Sequence, residues 1–208
     1  RDVSLIATQL HSGAPELRGG LRLEGFGFEP ADATPGIEGL DAVIAATGSS
    51  GTARIDTRRF ALAWPYNFRD RIAARRFAVR AGWDRHRGAW RLWADDLELD
   101  LDDAKVRARL RMLFQGADPG PLIDLSARVS DVRVADAWRY LPVSKFRPAG
   151  LGWLDAAFRA GRVREGTLQF TGPLRRYPFR DGGGLFRVDA EIEGLALNYV
   201  NGWPLAQD

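Results

Sequence analysis

Only two imidazoles are available in the chain, His11 and His86. A general base needs its nucleophile or acid within hydrogen-bond reach, yet both histidines fall in loops with no serine or carboxylate at a diagnostic spacing. Asp95-Asp96 and Asp102-Asp103 raise the question of a paired-carboxylate acid/base site. Adjacent residues of a strand project to opposite faces, and basic residues nearby supply partners, so these acids read as solvated structural charge. Gly48-Ser49-Ser50-Gly51 lacks the strand-to-helix context of a nucleophile elbow and the lysine of a phosphate loop. Gly182-Gly183-Gly184 runs into a strand, which excludes a dinucleotide fingerprint. There is no cysteine and no constellation of metal-ligand spacing. The expectation is a protein that is not an enzyme, with no metal, cofactor or catalytic residue.

Composition narrows the remaining classes. The 208 residues carry 30 basic and 27 acidic side chains, a net charge of +3, and the isoelectric point of about 9.7 reflects arginine, since lysine occurs only at Lys105 and Lys145. So small and interleaved a surplus is not a nucleic-acid footprint. With 45% apolar and 27% charged residues the chain is globular in composition. No run approaches the roughly 18 apolar residues of a membrane-spanning helix, and the first residues do not read as a signal peptide. A start at Arg1 and an end just after Gly202-Trp203-Pro204-Leu205 lead us to expect a segment of a longer protein.

The elements are mostly strands. From Gly183 to Trp203 the chain first alternates strictly, Phe186, Val188, Ala190 and Ile192 against Arg187, Asp189, Glu191 and Glu193, which gives one greasy and one wet face. Past Gly194 the apolar positions become Leu195, Leu197 and Tyr199, a slip of one residue that fits a bulge or a crossing between sheets. Residues 3–10 and 19–28 read as short strands. Leu40 to Ala46 and Ala53 to Thr57 form a hairpin; with Ser49 and Ser50 at its tip, Ile44 faces Ile55 and Ala46 faces Ala53. Phe60, Leu62 and Trp64 continue after another slip, and Ile72 to Trp83 and Trp90 to Ala94 follow. Leu97, Leu99 and Leu101 alternate with acids, while Val106, Ala108, Leu110 and Met112 alternate with Lys105, Arg107, Arg109 and Arg111. Folding this stretch about Asp103 and Ala104 pairs Glu98 with Arg109, Asp100 with Arg107 and Leu99 with Ala108. Ile123 to Val129 is a further strand.

Between residues 134 and 160 the period changes to three and four, predicting two short helices, Val134 to Leu141 and Leu151 to Phe158, the second ended by Gly161. Strands resume at Gly166. Alternating strands with one apolar face suit a closed β-sandwich, and the seven tryptophans would suit a sugar platform on it. Scattered without a repeated spacing, they suit core or groove filling better. A carbohydrate-binding or structural envelope module stays open as the second reading.

The order Tyr140-Leu141-Pro142, Trp153-Leu154 with Phe158, Gly161-Arg162-Val163 running into Gly166-Thr167-Leu168, Pro178-Phe179, Gly184-Leu185-Phe186-Arg187-Val188 and Trp203-Pro204 resembles the central region of the YhdP family, AsmA-like proteins of the double-membraned bacterial envelope. The match is closest over about residues 134–204; earlier it consists of strand spacing and the segment Leu62 to Pro65. The resemblance implies a mainly β fold, a curled antiparallel sheet forming an apolar, taco-like groove. It implies one segment of a longer groove-forming domain, with sheet over 1–133, short helices over 134–160 and sheet again over 161–208. It further implies a periplasmic part of an inner-membrane-anchored protein that carries phospholipid between the inner and outer membranes and supports the outer membrane. In that setting Leu97, Leu99, Leu101, Val106, Leu110, Phe186, Val188 and Ile192 would line the groove and contact acyl chains, for which burial is worth about 0.8 kcal/mol per CH₂.

Overall fold

A computed structural model describes residues 4–8, 18–32, 34–116, 120–140, 143–145, 151–152, 156–198 and 206–207. The strands are β1 (Ser4–Thr8), β2 (Arg18–Phe28), β3 (Gly36–Thr47), β4 (Ser50–Ala63), β5 (Ile72–His86), β6 (Ala89–Leu101), β7 (Lys105–Phe114), β8 (Leu122–Arg133), β9 (Phe158–Pro173), β10 (Leu185–Leu197) and β11 (Ala206–Gln207). They form one antiparallel sheet in chain order, with β1 at one edge and β11 at the other. A closed two-sheet sandwich is therefore not the arrangement. The period-two pattern explains why: each hairpin buries its apolar set on the same side, so every new strand extends the sheet already present.

The sheet is curled, and its bulges explain the curvature. Residues with positive φ interrupt three successive strands and two later ones: Gly25 (56°) in β2, Gly39 (71°) in β3, Arg59 (59°) in β4, Asp131 (65°) in β8 and Gly194 (58°) in β10. Pairing shifts beside them in β2, β3 and β10. A bulge adds one residue to one strand, bends it and raises the local twist; aligned bulges bend the whole sheet. The parity slips in the sequence, at Phe60 and past Gly194, are these bulges. Across β2, β3 and β4 the line is tied by Asp41, which accepts hydrogen bonds from the Gly25 N–H at 2.8 Å and from the Thr57 hydroxyl at 3.2 Å. Thr57, fully buried, shares its single hydroxyl hydrogen between this carboxylate and the Gly39 carbonyl.

Two hairpins correct the expected registers. Glu98 pairs with Arg107, not Arg109; Asp100 pairs with Lys105 and Leu99 with Val106. Ile44 pairs with Ala53, not Ile55, and Ala46 pairs with Gly51. In each case the tip lies one residue earlier than expected, at Asp102-Asp103 and Gly48-Ser49, which moves every pair by two and leaves the faces unchanged. A ladder that repeats every two residues fits both registers equally, so the turn decides. At the first tip the Leu101 N–H donates to the Ala104 carbonyl at 2.9 Å and Ala104 is buried in the core; at the second, Gly48 takes φ 54°. A bulge at Asp95-Asp96 shifts the β6–β7 pairing once more, so that Ala94 faces Leu110. The acids of β6 are consequently shared with β5: Asp96 meets Arg80, and Asp100 lies 2.9 Å from Arg75.

The helical expectation also needs revision. Val134–Tyr140 and Val143–Lys145 are 3-10 turns. Phe158 is the first residue of β9, which runs on through Gly161 to Pro173, so helix is confined to the residues before it, 151–152 and 156–157 among those described. Apolar spacing of three and four over so short a run does not distinguish a helix that stops from one that leads into a strand. The tightest core, Phe60, Ala74, Leu101, Ala104 and Val132 with Ala137 and Tyr140 packed against it, sits where these turns cover one end of the apolar face.

Candidate functional site

The face built by alternation is continuous. Following the pairings strand by strand, Leu21, Ile44, Ala53, Ala81, Ala94, Leu110, Leu125, Phe170 and Phe186 stand side by side across nine strands. A neighbouring row carries Leu97, Ala108, Ala127, Leu168 and Val188. Most of these side chains are half-buried, shielded by neighbours in the sheet and open on top; Phe186 and Val188 are 46% and 57% exposed. An apolar floor of this extent is unusual for a free surface.

The opposite face is charged and self-neutralising. Arg76 reaches Asp56 at 3.0 Å and Glu98 at 3.2 Å, and Glu98 meets Arg107 at 3.5 Å. Hydrogen bonding from the Arg76 guanidinium holds the Asp56 carboxyl below the usual carboxylate range. Arg111 faces Asp95 at 3.1 Å, and Arg91 faces Asp84 at 2.5 Å. Such exposed pairs contribute little stability individually; they keep this side wet and fix which face is buried.

Val134–Tyr140 and Val143–Lys145 cross one end of the apolar face. Starting from β8, the segment reaches the β4–β5 connection, where the Val143 N–H donates to the Asn67 carbonyl at 2.7 Å and the Ser144 hydroxyl meets the Asn67 side chain. Arg69 lies over the Trp138 ring at 5.3 Å. Midway, the Tyr140 hydroxyl donates to Asp103 at the β6–β7 tip. Burial and that carboxylate push the Tyr140 phenol well above its ordinary range, so it stays protonated as a donor. The apolar face is thus roofed at this end and uncovered towards the β5–β6 and β7–β8 turns, where Trp90, Leu92 and Phe114 stand exposed.

The eight residues expected to line a groove all lie in strands of this sheet. Leu97, Leu110, Phe186 and Val188 stand on the open floor. Leu99 and Val106 pack against the roofed core, Leu101 is 3% exposed within it, and Ile192 is half-buried near Gly161 beside the β10 bulge. Reasoning from the sequence did not single out Leu125, Phe170 or Leu168, although their alternation carried the same signal, nor the part played by Tyr140 and Asp103, which no spacing announces. His86 is exposed at the end of β5, and His11 lies outside the described residues. Among the described residues no group of three or more His, Asp or Glu is placed to hold a metal ion. Three of the described tryptophans are spread apart: Trp93 covers Gly82 on the charged face, Trp83 covers Gly51 on the apolar face, and Trp138 sits in the roof. Trp153 and Trp203 lie outside the described residues.

An open, curled antiparallel sheet with one apolar and one charged face defines a groove-forming β protein. The chain belongs to the YhdP protein family, whose model it matches over residues 2–208. It is 19% identical over 170 residues to the intermembrane phospholipid transporter YhdP of Escherichia coli (strain K12), a match covering 82% of this chain and 13% of that protein. The chain thus spans about one-eighth of the relative's length. No solved structure matches it. Among the described residues no helix is long and apolar enough to cross a membrane.

Proposed function

We propose that this chain is one segment of a conduit that carries phospholipid between the inner and outer membranes, with acyl chains lying on the apolar face of the sheet and headgroups at its rim. The observation that carries the reading is the row from Leu21 to Phe186, nine strands wide and apolar at every position. Family membership and the printed function of the E. coli relative support it. A long tail gains about 0.8 kcal/mol for each CH₂ it buries. Because the face is uniform along its length, a tail can slide without leaving apolar surroundings. Catalysis plays no part in this reading. The groove lies in the periplasm, attached to the inner membrane through other parts of a longer protein; here β1 to β11 supply its sheet and the turns Val134–Tyr140 and Val143–Lys145 cover one end.

Stripped of bound lipid, the chain is expected to take up a phospholipid carrying a fluorophore on its tail, with emission shifting to the blue as the probe leaves water. Unlabelled phospholipid should displace it, whereas soluble oligosaccharide should not. No uptake, or displacement by sugar, would contradict the proposal.

A further inference from the structure

The two ends of the groove treat charge differently. At the roofed end, Arg139 faces Asp70 at 3.6 Å and Asp103 at 3.4 Å, Arg133 faces Asp136 at 2.7 Å, and Arg71 faces Glu38 at 2.9 Å. The connection between β9 and β10, Leu174 to Gly184, carries Arg175, Arg176 and Arg180 against a single acid, Asp181. All three are exposed, and none has a carboxylate within ion-pair distance among the described residues.

This connection is fixed to the groove. The Leu174 N–H donates to the Pro121 carbonyl at 3.0 Å, and the Phe179 N–H to the Arg176 carbonyl at 2.8 Å. The stem of Arg175 lies across Gly120, where a Cβ would meet its Cγ at 2.9 Å. Tyr177 and Phe179 turn their rings onto the apolar floor: Tyr177 lies 5.4 Å from Phe186 and Phe179 lies 5.3 Å from Phe170, centroid to centroid. One short segment therefore presents three unpaired guanidinium groups directly beside an exposed aromatic surface. That combination matches an amphiphile whose tail is apolar and whose head is a phosphate, the anion that the guanidinium fork binds best.

Building on the conduit reading, we propose that the β9–β10 connection is a phosphate subsite, in which Arg175, Arg176 and Arg180 hold the headgroup of a phospholipid whose tail rests on Phe170 and Phe186. The subsite would retain lipids bearing a phosphodiester over neutral lipids of the same tail length.

The test measures binding of the full chain to tail-labelled phosphatidylglycerol and to diacylglycerol with the same tails. The wild type is expected to bind the phospholipid about tenfold more tightly. Changing Arg175→Gln, Arg176→Gln and Arg180→Gln together should remove that preference and leave diacylglycerol binding unchanged. The corresponding triple change to lysine should keep part of it. Arg109→Gln with Arg128→Gln, on the charged face, should alter neither affinity. If the glutamine triple variant keeps the full preference, the subsite is wrong while the conduit stands. If the wild type binds neither lipid, the conduit reading falls and the subsite with it. If inorganic phosphate binds the wild type as tightly as the phospholipid does, the arginines form a free-phosphate site and the headgroup assignment is overturned.

Discussion

Gly39→Ala is expected to lower the stability of the sheet by about 2–5 kcal/mol, through two effects that add at one position. Gly39 sits at φ 71°, where a side chain costs about 1–2 kcal/mol. A Cβ there would also stand 2.7 Å from the carbonyl oxygen of Arg59, a backbone atom of the neighbouring strand that no rotamer change can move aside. The Gly39 carbonyl itself accepts the hydrogen bond of the fully buried Thr57, so displacing β3 at this position disturbs the whole line of bulges. Gly88→Ala supplies the comparison. Gly88 has φ 82° but nothing within 4 Å of its would-be Cβ, so it should pay only the conformational part. Urea unfolding of the two variants checks this. A Gly39→Ala midpoint no lower than that of Gly88→Ala would show that the close approach between β3 and β4 is not what shapes the sheet.

The second large effect is on lipid rather than on folding. Leu110→Asp is expected to reduce phospholipid uptake at least about a hundredfold, because an acyl chain covering the row would strip water from an unpaired carboxylate at a cost of several kcal/mol. Leu110 stands between Ala94 and Leu125 in the middle of the floor, and it is half-buried, so the empty sheet leaves the new charge hydrated and loses little stability. Arg109→Asp, one residue away on the other face, should leave uptake unchanged. Equal losses from both variants, each folded by circular dichroism, would place the tail somewhere other than the apolar face.

How much of this could be read in advance depends on which residues spoke. Alternation at Leu97–Leu101, Val106–Met112 and Phe186–Ile192 named the strands and their faces, because a face has only two options and burial chooses one. The registers were not legible from the same residues. Glu98 is satisfied by Arg107 or Arg109 alike, and only the buried Ala104 and the contact of Asp103 with Tyr140, 37 residues apart, select the former. The bulges at Arg59 and Gly194 showed themselves as parity slips, whereas the one at Asp95-Asp96 was masked by acids that read as ordinary exposed positions. The roof carried a helical signal over its first turn, Val134–Tyr140, but not its destination, since its contacts with Asn67 and Asp70 lie far back in the chain. The arginines of the β9–β10 connection looked like any polar loop until the rings of Tyr177 and Phe179 placed them beside the floor.

Photo-crosslinking in the intact protein tests the central claim most directly. A light-activated residue at Leu110 should capture phospholipid in living cells, and the same residue at Arg109 should capture none, because the two side chains leave the same strand on opposite faces. Capture at Arg109 equal to that at Leu110, or capture at neither, would contradict an account in which the apolar face of this sheet carries the lipid.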